Sequence, residues 1–343
     1  KCDLVALPDF AVGAMENWGL ITFREECFYV NDQTSLHTKQ YVAMVVAHEL
    51  AHQWFGNLVT MRWWTDLWLN EGFASWVEFL AVDKIFPDWQ IWDQFLTDEQ
   101  QRALKLDALD NTHPVEVTVS HPDEIRTIFD TISYSKGASV IHMLNSYLGA
   151  DKFQAGLQNY LSKHAYKNTD TIDLWTALEE TSKMPVVSFM SRWTNQSGFP
   201  ILTVSDDTVE QTRFFVDPDH KPDKTTWPIP LGIDNKILES KSDTVQGDNI
   251  YNSDRSGFYR VVYQNSALDN VLAKLATLPD ITRMSIISDM SEASRAGYIN
   301  SVATFKTVRK LDHETSFVVW ESMIGFLASV RNGMKSKEID ELI

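Results

Sequence analysis

Cysteine is nearly absent: Cys2 and Cys27 are the only two in 343 residues, and no C-x-x-C pair occurs. There is thus neither a disulfide framework nor a cysteine metal site. The two could pair with each other, but two free thiols in a reducing compartment is the simpler reading. Long apolar runs are also missing. No stretch reaches the roughly 18 residues of a membrane span, and the most apolar late segment, residues 316–330, is interrupted by Glu321. Positive charge is scarce: 30 Lys and Arg stand against 47 Asp and Glu, a net charge of −17. That balance argues against nucleic acid and anionic membranes as partners. No signal peptide opens the chain. It starts at Lys1-Cys2-Asp3 without an initiator Met, so an upstream portion is expected. One glycosylation sequon, Asn195-Gln196-Ser197, is a weak pointer to secretion in a chain of this length. A cytoplasmic location is expected, the alternative being a membrane-anchored ectodomain whose anchor lies outside this chain.

What is present is ordinary for a globular protein, 44% hydrophobic and 22% charged residues, enough for a sizeable core. A chain of this length predicts two or three domains. Residues 4–7, 20–23 and 27–30 read as extended, with a glycine-flanked bend, Gly13-Ala14-Met15-Glu16-Asn17-Trp18-Gly19, between the first two. Helical patterns dominate from about residue 38 to 192, with stretches at 88–105, 133–148, 151–164, 171–182 and 186–194. His113 and His121 each precede a proline, which makes them loop punctuation rather than ligands. After Gly198-Phe199-Pro200 come short β-type runs at 201–204, 212–216, 227–233 and 257–263, a small all-β module. From Ala267 the pattern is helical again, without a visible repeat period.

The chemistry concentrates between Gln40 and Trp76. His48, Glu49 and His52 form H-E-x-x-H, and Glu71 follows with 18 residues between it and His52. Histidines at i and i+4 project from one helix face, the spacing that holds a single metal ion between two imidazoles. Two His and one Glu leave tetrahedral zinc an open position, the arrangement of a catalytic site. Glu49 is placed to reach a water on that metal. Val42, Val45, Val46, Leu50 and Ala51 around the motif predict a buried helix, where the three polar groups would be costly unless a metal satisfied them. Asp66, Asn70 and Glu78 are possible supports for the ligands and equally possible caps or surface groups. Trp54, Trp63, Trp64, Trp68 and Trp76 read as core and wall residues. From pattern alone, Glu16 is a solvated loop carboxylate and Tyr134 an amphipathic core residue.

Gly13-Ala14-Met15-Glu16-Asn17 together with the H-E-x-x-H and Glu71 pair resembles the aminopeptidase N-type zinc aminopeptidases, gluzincins with a GAMEN motif. The likeness continues through Tyr134-Ser135-Lys136-Gly137-Ala138, Gly198-Phe199-Pro200 and Gly257-Phe258-Tyr259-Arg260-Val261. It implies a multidomain α+β fold. Residues 1–198 would be most of a thermolysin-like, mostly helical catalytic domain, 199–265 a small β-sandwich module, and 266–343 the truncated start of an α-helical solenoid domain. It implies one Zn²⁺ per chain on His48, His52 and Glu71, with Glu49 as general base and Tyr134 stabilising the oxyanion. Glu16 would bind the free amine of a peptide substrate. Gly13 and Ala14 would present backbone as an edge strand, with Met15 and Asn17 in the same substrate-binding segment. Two alternatives compete. A leukotriene hydrolase-like bifunctional enzyme would carry GGMEN, so Ala14 counts against it. A zinc-less scaffold homologue is opposed by the intact ligand and catalytic set. Side-chain preference and oligomeric state stay open.

Overall fold

The computed structural model describes residues 1–221, 223–233 and 236–333. It has mixed helical and sheet content and divides into two compact units, residues 1–106 with 113–197, and residues 107–112 with those from 198 onward.

The first unit opens with strands β1 (Asp3–Leu7), β2 (Ala14–Met15) and β3 (Leu20–Arg24), ordered β1-β3-β2. β1 runs parallel to β3, while β2 is antiparallel to it, with Ala14 opposite Phe23 and Met15 opposite Thr22. Alternation along β3 sends Ile21 and Phe23 into the core and leaves Leu20 exposed. The extended run expected at 27–30 does not form. The chain leaves β3 through a 3₁₀ turn, Glu25–Cys27, and Tyr29 and Val30 are exposed. Cys2 and Cys27 are unbridged.

Helix α1 (Leu36–Ala51) starts at Ser35, whose side chain accepts the Thr38 N–H. β4 (Val59–Met61) and then α2 (Trp68–Ile85) follow. Residues 68–76 of α2 are all buried, and α2 packs against α1 and the later helix α5. The helix expected over 88–105 is broken into α3 (Ile91–Gln94), a π-helical turn Phe95–Glu99, and α4 (Gln100–Asp107). A second π turn, Ile132–Lys136, leads into α5 (Gly137–Leu148). The unit closes with α6 (Ala150–His164), β5 (Lys167–Thr169) parallel to β4, α7 (Thr171–Ser182) and α8 (Val186–Thr194). The burial expected around α1 is one-sided. Val42 and Ala51 are buried, but Leu50 is exposed, and with Val46, Trp54, Ile85 and Trp89 it lines an apolar groove. His113 pairs with Asp130 at 2.8 Å, and His121 caps the 3₁₀ turn Pro122–Thr127.

In the second unit β6 (Pro200–Ser205), β7 (Thr208–Arg213), β10 (Ser242–Thr244) and β11 (Arg260–Gln264) form a sheet ordered β10-β7-β6-β11, and β8 (Ile229–Pro230) pairs with β9 (Ile237–Leu238). The strand expected over 212–216 begins earlier, because Asp206 at φ 48° makes a two-residue hairpin that pairs Ser205 with Thr208. The strand expected over 227–233 shrinks to two residues. The backbone N–H and C=O of Trp227 are met by the buried Gln211 side chain, each at 2.8 Å, instead of by a neighbouring strand. Helices α9 (Asn265–Lys274), α10 (Asp280–Arg295), α11 (Ser301–Val308) and α12 (Phe317–Gly333) follow. Among the described residues no helix is long and apolar enough to cross a membrane.

Two buried carboxyl groups generate predictions. Asp289 on α10 accepts from Arg255 and Arg260 on one oxygen, at 2.9–3.2 Å, and from the Val261 N–H on the other at 2.9 Å. Both guanidiniums are fully buried, so Asp289→Ala should remove a carboxylate shared by two buried cations and destabilise by about 3–5 kcal/mol. Urea unfolding checks this, and a loss under about 1 kcal/mol would show that the ion cluster contributes little. In the first unit, burial pushes the Glu116 carboxyl up to about 7 from 4.5, and its Oε1 has no partner. The unfolded chain then releases this proton at lower pH than the folded one does. Its stabilising contribution is complete below pH 4.5 and is lost as pH rises through 7. Glu116→Gln should gain on wild type across that window, by on the order of 1–3 kcal/mol above it. Parallel thermal melts at pH 4.5 and 8 would refute this if the gap between the two proteins stayed constant.

Candidate active site

α1 delivers His48 on its last turn, and His52 follows in the same right-handed conformation, its N–H bonded to the His48 carbonyl at 3.2 Å. The two rings therefore sit over one another, 4.7 Å apart at 81°. Glu71 lies in the first turn of α2, where its Oε2 is 3.3 Å from His48 Nε2 and 3.4 Å from His52 Nε2. These three ligand atoms lie within 4.8 Å of one another and could hold a metal ion.

The opposite ring nitrogens are tied down. His48 Nδ1 faces Glu78 Oε2 at 2.9 Å, and His52 Nδ1 donates to the Phe55 carbonyl at 2.9 Å. With both Nδ1 atoms engaged, both Nε2 atoms turn toward Glu71, the tautomer and orientation that metal-binding imidazoles need. The turn that brings the Phe55 carbonyl back is possible because Gly56 takes φ 126°, and a Cβ there would press on His52 Nδ1 at 3.3 Å. Two imidazoles and one carboxylate, with their outer atoms satisfied by other groups, fit a small divalent cation.

Beside them Glu49 is buried, and its Oε2 has no hydrogen-bond partner. Burial pushes its pKa up to about 7, against the opposing pull of His48 and His52 and with added repulsion from Glu16 and Glu71. Glu71 goes the other way. Burial would raise it, but hydrogen bonds from both histidines outweigh burial and hold it well below the usual carboxylate range. For His48 burial pulls downward, and bonds to Glu71 and Glu78 prevail to raise its pKa.

Tyr134 comes from the π turn before α5. Its ring lies parallel to that of His48, with centroids 6.1 Å apart. The approach of this turn to α2 depends on two glycines: a Cβ on Gly72 would sit 3.2 Å from the Gly137 Cα, and one on Gly137 equally close to Gly72. Burial, then the Glu71 charge and a hydrogen bond to Glu71, raise the Tyr134 pKa, so the hydroxyl keeps its proton.

Gly13, Ala14, His48, Glu49 and Tyr134 line one cavity of about 710 Å³. Ala14 and Met15 form the edge strand of the first sheet. Met15 is exposed, and Glu16 is half-buried and close enough to act electrostatically on Glu49, His52 and Tyr134. Asn17 turns away from the cavity residues, its Nδ2 bonding the Met15 carbonyl at 3.4 Å and Thr22 Oγ1 at 3.2 Å, so it shapes the bend. Of the three possible supports, Glu78 holds His48. Asp66 accepts from the Thr171 N–H and hydroxyl, and buried Asn70 lies against the Gly56 turn. Sequence reasoning passed over Gln53 and Asn57. Asn57 Nδ2 donates to the Glu16 carbonyl at 2.8 Å and Gln53 Nε2 at 3.3 Å. Their sequence signal was their place in H-E-L-A-H-Q-W-F-G-N, a stretch that shares in the family resemblance.

Comparison with known proteins bears on this site. Residues 1–193 match the family model described as Peptidase family M1 domain, and residues 249–342 match the ERAP1-like C-terminal domain. Aminopeptidase M1-D of Oryza sativa subsp. japonica is 47% identical over 87% of this chain and 37% of its own length. Aminopeptidase M1 of Arabidopsis thaliana is 47% identical over 84% and 36%. Aminopeptidase 2, mitochondrial, of Saccharomyces cerevisiae is 41% identical over 97% and 37%. The chain thus spans less than two fifths of the length of these relatives. Since the first of those matches takes in more than half of the sequence and every residue of the site, the chain belongs to peptidase family M1.

Proposed function

We propose that this chain carries the catalytic centre of a zinc aminopeptidase that removes the N-terminal residue from peptides. The observation that carries the reading is the convergence of His48, His52 and Glu71 on one point, with the unpartnered Oε2 of Glu49 beside it. The aminopeptidase names of the relatives support the reaction class, and the activity is that of the intact protein. The same reading takes residues 1–198 as most of a thermolysin-like catalytic domain, 199–265 as the β-sandwich module and 266–343 as the start of a helical solenoid domain.

His48 Nε2, His52 Nε2 and Glu71 Oε2 would hold one Zn²⁺. Zinc supplies Lewis acidity there, polarising the scissile carbonyl and acidifying the attacking water. Glu49 takes the proton of that water and later delivers it to the leaving amine. A buried carboxyl whose pKa burial raises can do both. Tyr134 keeps its proton and donates a hydrogen bond to the developing oxyanion. Gly13 and Ala14 offer main-chain groups at the free edge of β2, where an extended peptide adds as a further strand. Glu16 binds the substrate's ammonium group, and a charge-assisted bond at a fixed distance from the scissile carbonyl restricts cleavage to the first peptide bond. Met15 sits on the same edge, and Asn17 sets the bend that places Glu16.

Mass spectrometry of one peptide, offered with a free or acetylated N terminus to the zinc-loaded intact protein, tests the reading. Stepwise loss of single residues from the free peptide alone is expected, and equal internal cutting of both would sink the exopeptidase reading. Glu49→Gln should retain zinc and lose about 10²–10⁴-fold in kcat, so undiminished turnover would remove Glu49 from the chemistry. Glu78→Gln weakens the group that orients His48 and should lower zinc affinity about 10–100-fold in competition with a chelator. Unchanged affinity would show that His48 is oriented without Glu78.

A further inference from the structure

We infer that Gln53 and Asn57 are positioning residues, a pair of carboxamides that fix the amine-binding Glu16 to the metal-binding helix and so set the distance at which the peptide terminus is read. The inference rests on the aminopeptidase reading above.

The need for such a clamp comes from where Glu16 sits. Pairing between β2 and β3 ends at Met15, so the sheet places Ala14 and Met15 but not the residue after them. Beyond it the chain bends, the Leu20 N–H returning to the Asn17 carbonyl at 3.0 Å. An untethered Glu16 could swing its carboxylate relative to Glu49, and a misplacement of about 1 Å costs on the order of a hundredfold in rate.

The tether runs through main chain. The Glu16 carbonyl has two lone pairs, and both carboxamides reach it, Asn57 Nδ2 at 2.8 Å and Gln53 Nε2 at 3.3 Å. Gln53 spans the bend, because its Oε1 also accepts the Gly19 N–H at 3.4 Å. Its Nε2 reaches the carbonyl of Glu49 as well, at 3.3 Å. One side chain therefore touches the backbones of the amine-binding and water-activating carboxylates together. Asn57 is held in turn by its own N–H, which bonds the His52 carbonyl at 3.0 Å. These side-chain contacts lead to Glu16, to the far side of its bend at Gly19 and to Glu49 beside the first ligand. None leads into the hydrophobic core, as the contacts of a packing residue would.

Zinc-loaded intact protein and two hydroxamates provide the test. Leucine hydroxamate carries a metal-binding group and a free amine, and acetohydroxamate only the first. Inhibition constants and zinc per chain would be measured for wild type, Asn57→Ala, Gln53→Met and Glu16→Gln. Each carboxamide variant is expected to bind leucine hydroxamate about tenfold more weakly, with acetohydroxamate changed by less than about twofold and zinc content preserved. Equal weakening of both inhibitors would overturn the inference in favour of general support of the metal helix, and unchanged binding of both would overturn it outright. The Glu16→Gln arm separates the two readings. If it keeps full affinity for leucine hydroxamate, the amine-binding reading fails. If it loses that affinity while Asn57→Ala and Gln53→Met retain it, only the clamp fails.

Discussion

Two imidazoles and a carboxylate share a pocket in which water has little access, and the rest of the first unit is arranged to make that tolerable. Glu71 has both histidines within 3.4 Å of a single oxygen, which is why its carboxyl stays ionised although burial alone would protonate it. The histidines are committed on both sides. Their inner nitrogens face Glu71, and their outer ones face Glu78 and the Phe55 carbonyl. A divalent cation held by these three groups would offset the desolvation of all of them at once.

That convergence depends on backbone approach more than on side-chain length. Gly72 and Gly137 let α2 meet the π turn that carries Tyr134 at a separation where a Cβ would force the backbone to give by a few tenths of an ångström, so Glu71 and Tyr134 lie close together. The π turn adds one residue to the helical ladder just where Tyr134 leaves it, a local irregularity frequent at functional sites. On the opposite wall the edge strand Ala14–Met15 keeps one row of main-chain groups unpaired by the sheet. In most proteins such an edge is a hazard to be covered. Here it borders the cavity through Ala14.

Much of this was legible in the residues, and the limits of legibility have physical causes. His48, Glu49 and His52 could be placed because helical periodicity alone puts i and i+4 on one face. Glu71 needed only a loop able to bring it back. The interrupted helix at 91–107 could not be read, because a π turn keeps the apolar composition and changes only the hydrogen-bond register. The 227–233 run failed for a different reason. Its apolar alternation is genuine, but the partner of its backbone is a side chain, Gln211, 16 residues earlier. Tyr134 and Glu16 were invisible to periodicity, since their neighbours at the site are tertiary, and only resemblance marked them. Gln53 and Asn57 stand within H-E-L-A-H-Q-W-F-G-N but were given no role, because a carboxamide near a turn usually satisfies its own loop.

Two carboxylates of one site have been driven in opposite directions by differences of a few ångströms. Glu71 faces both imidazoles and is held anionic. Glu49, one residue along from His48, keeps a buried oxygen that no donor meets, and burial lifts its pKa to about 7. A permanent anion suits a metal ligand, and a group that gains and loses a proton near neutral pH suits proton transfer. The division follows from helix geometry. His48 and His52 turn toward Glu71, and Glu49, rotated by about 100° from His48, lines the same cavity as Gly13 and Ala14. Had the carboxylate stood in register with the histidines, it would have been neutralised as a fourth ligand. Offset by one position, it lies beside the three ligand residues without joining their group.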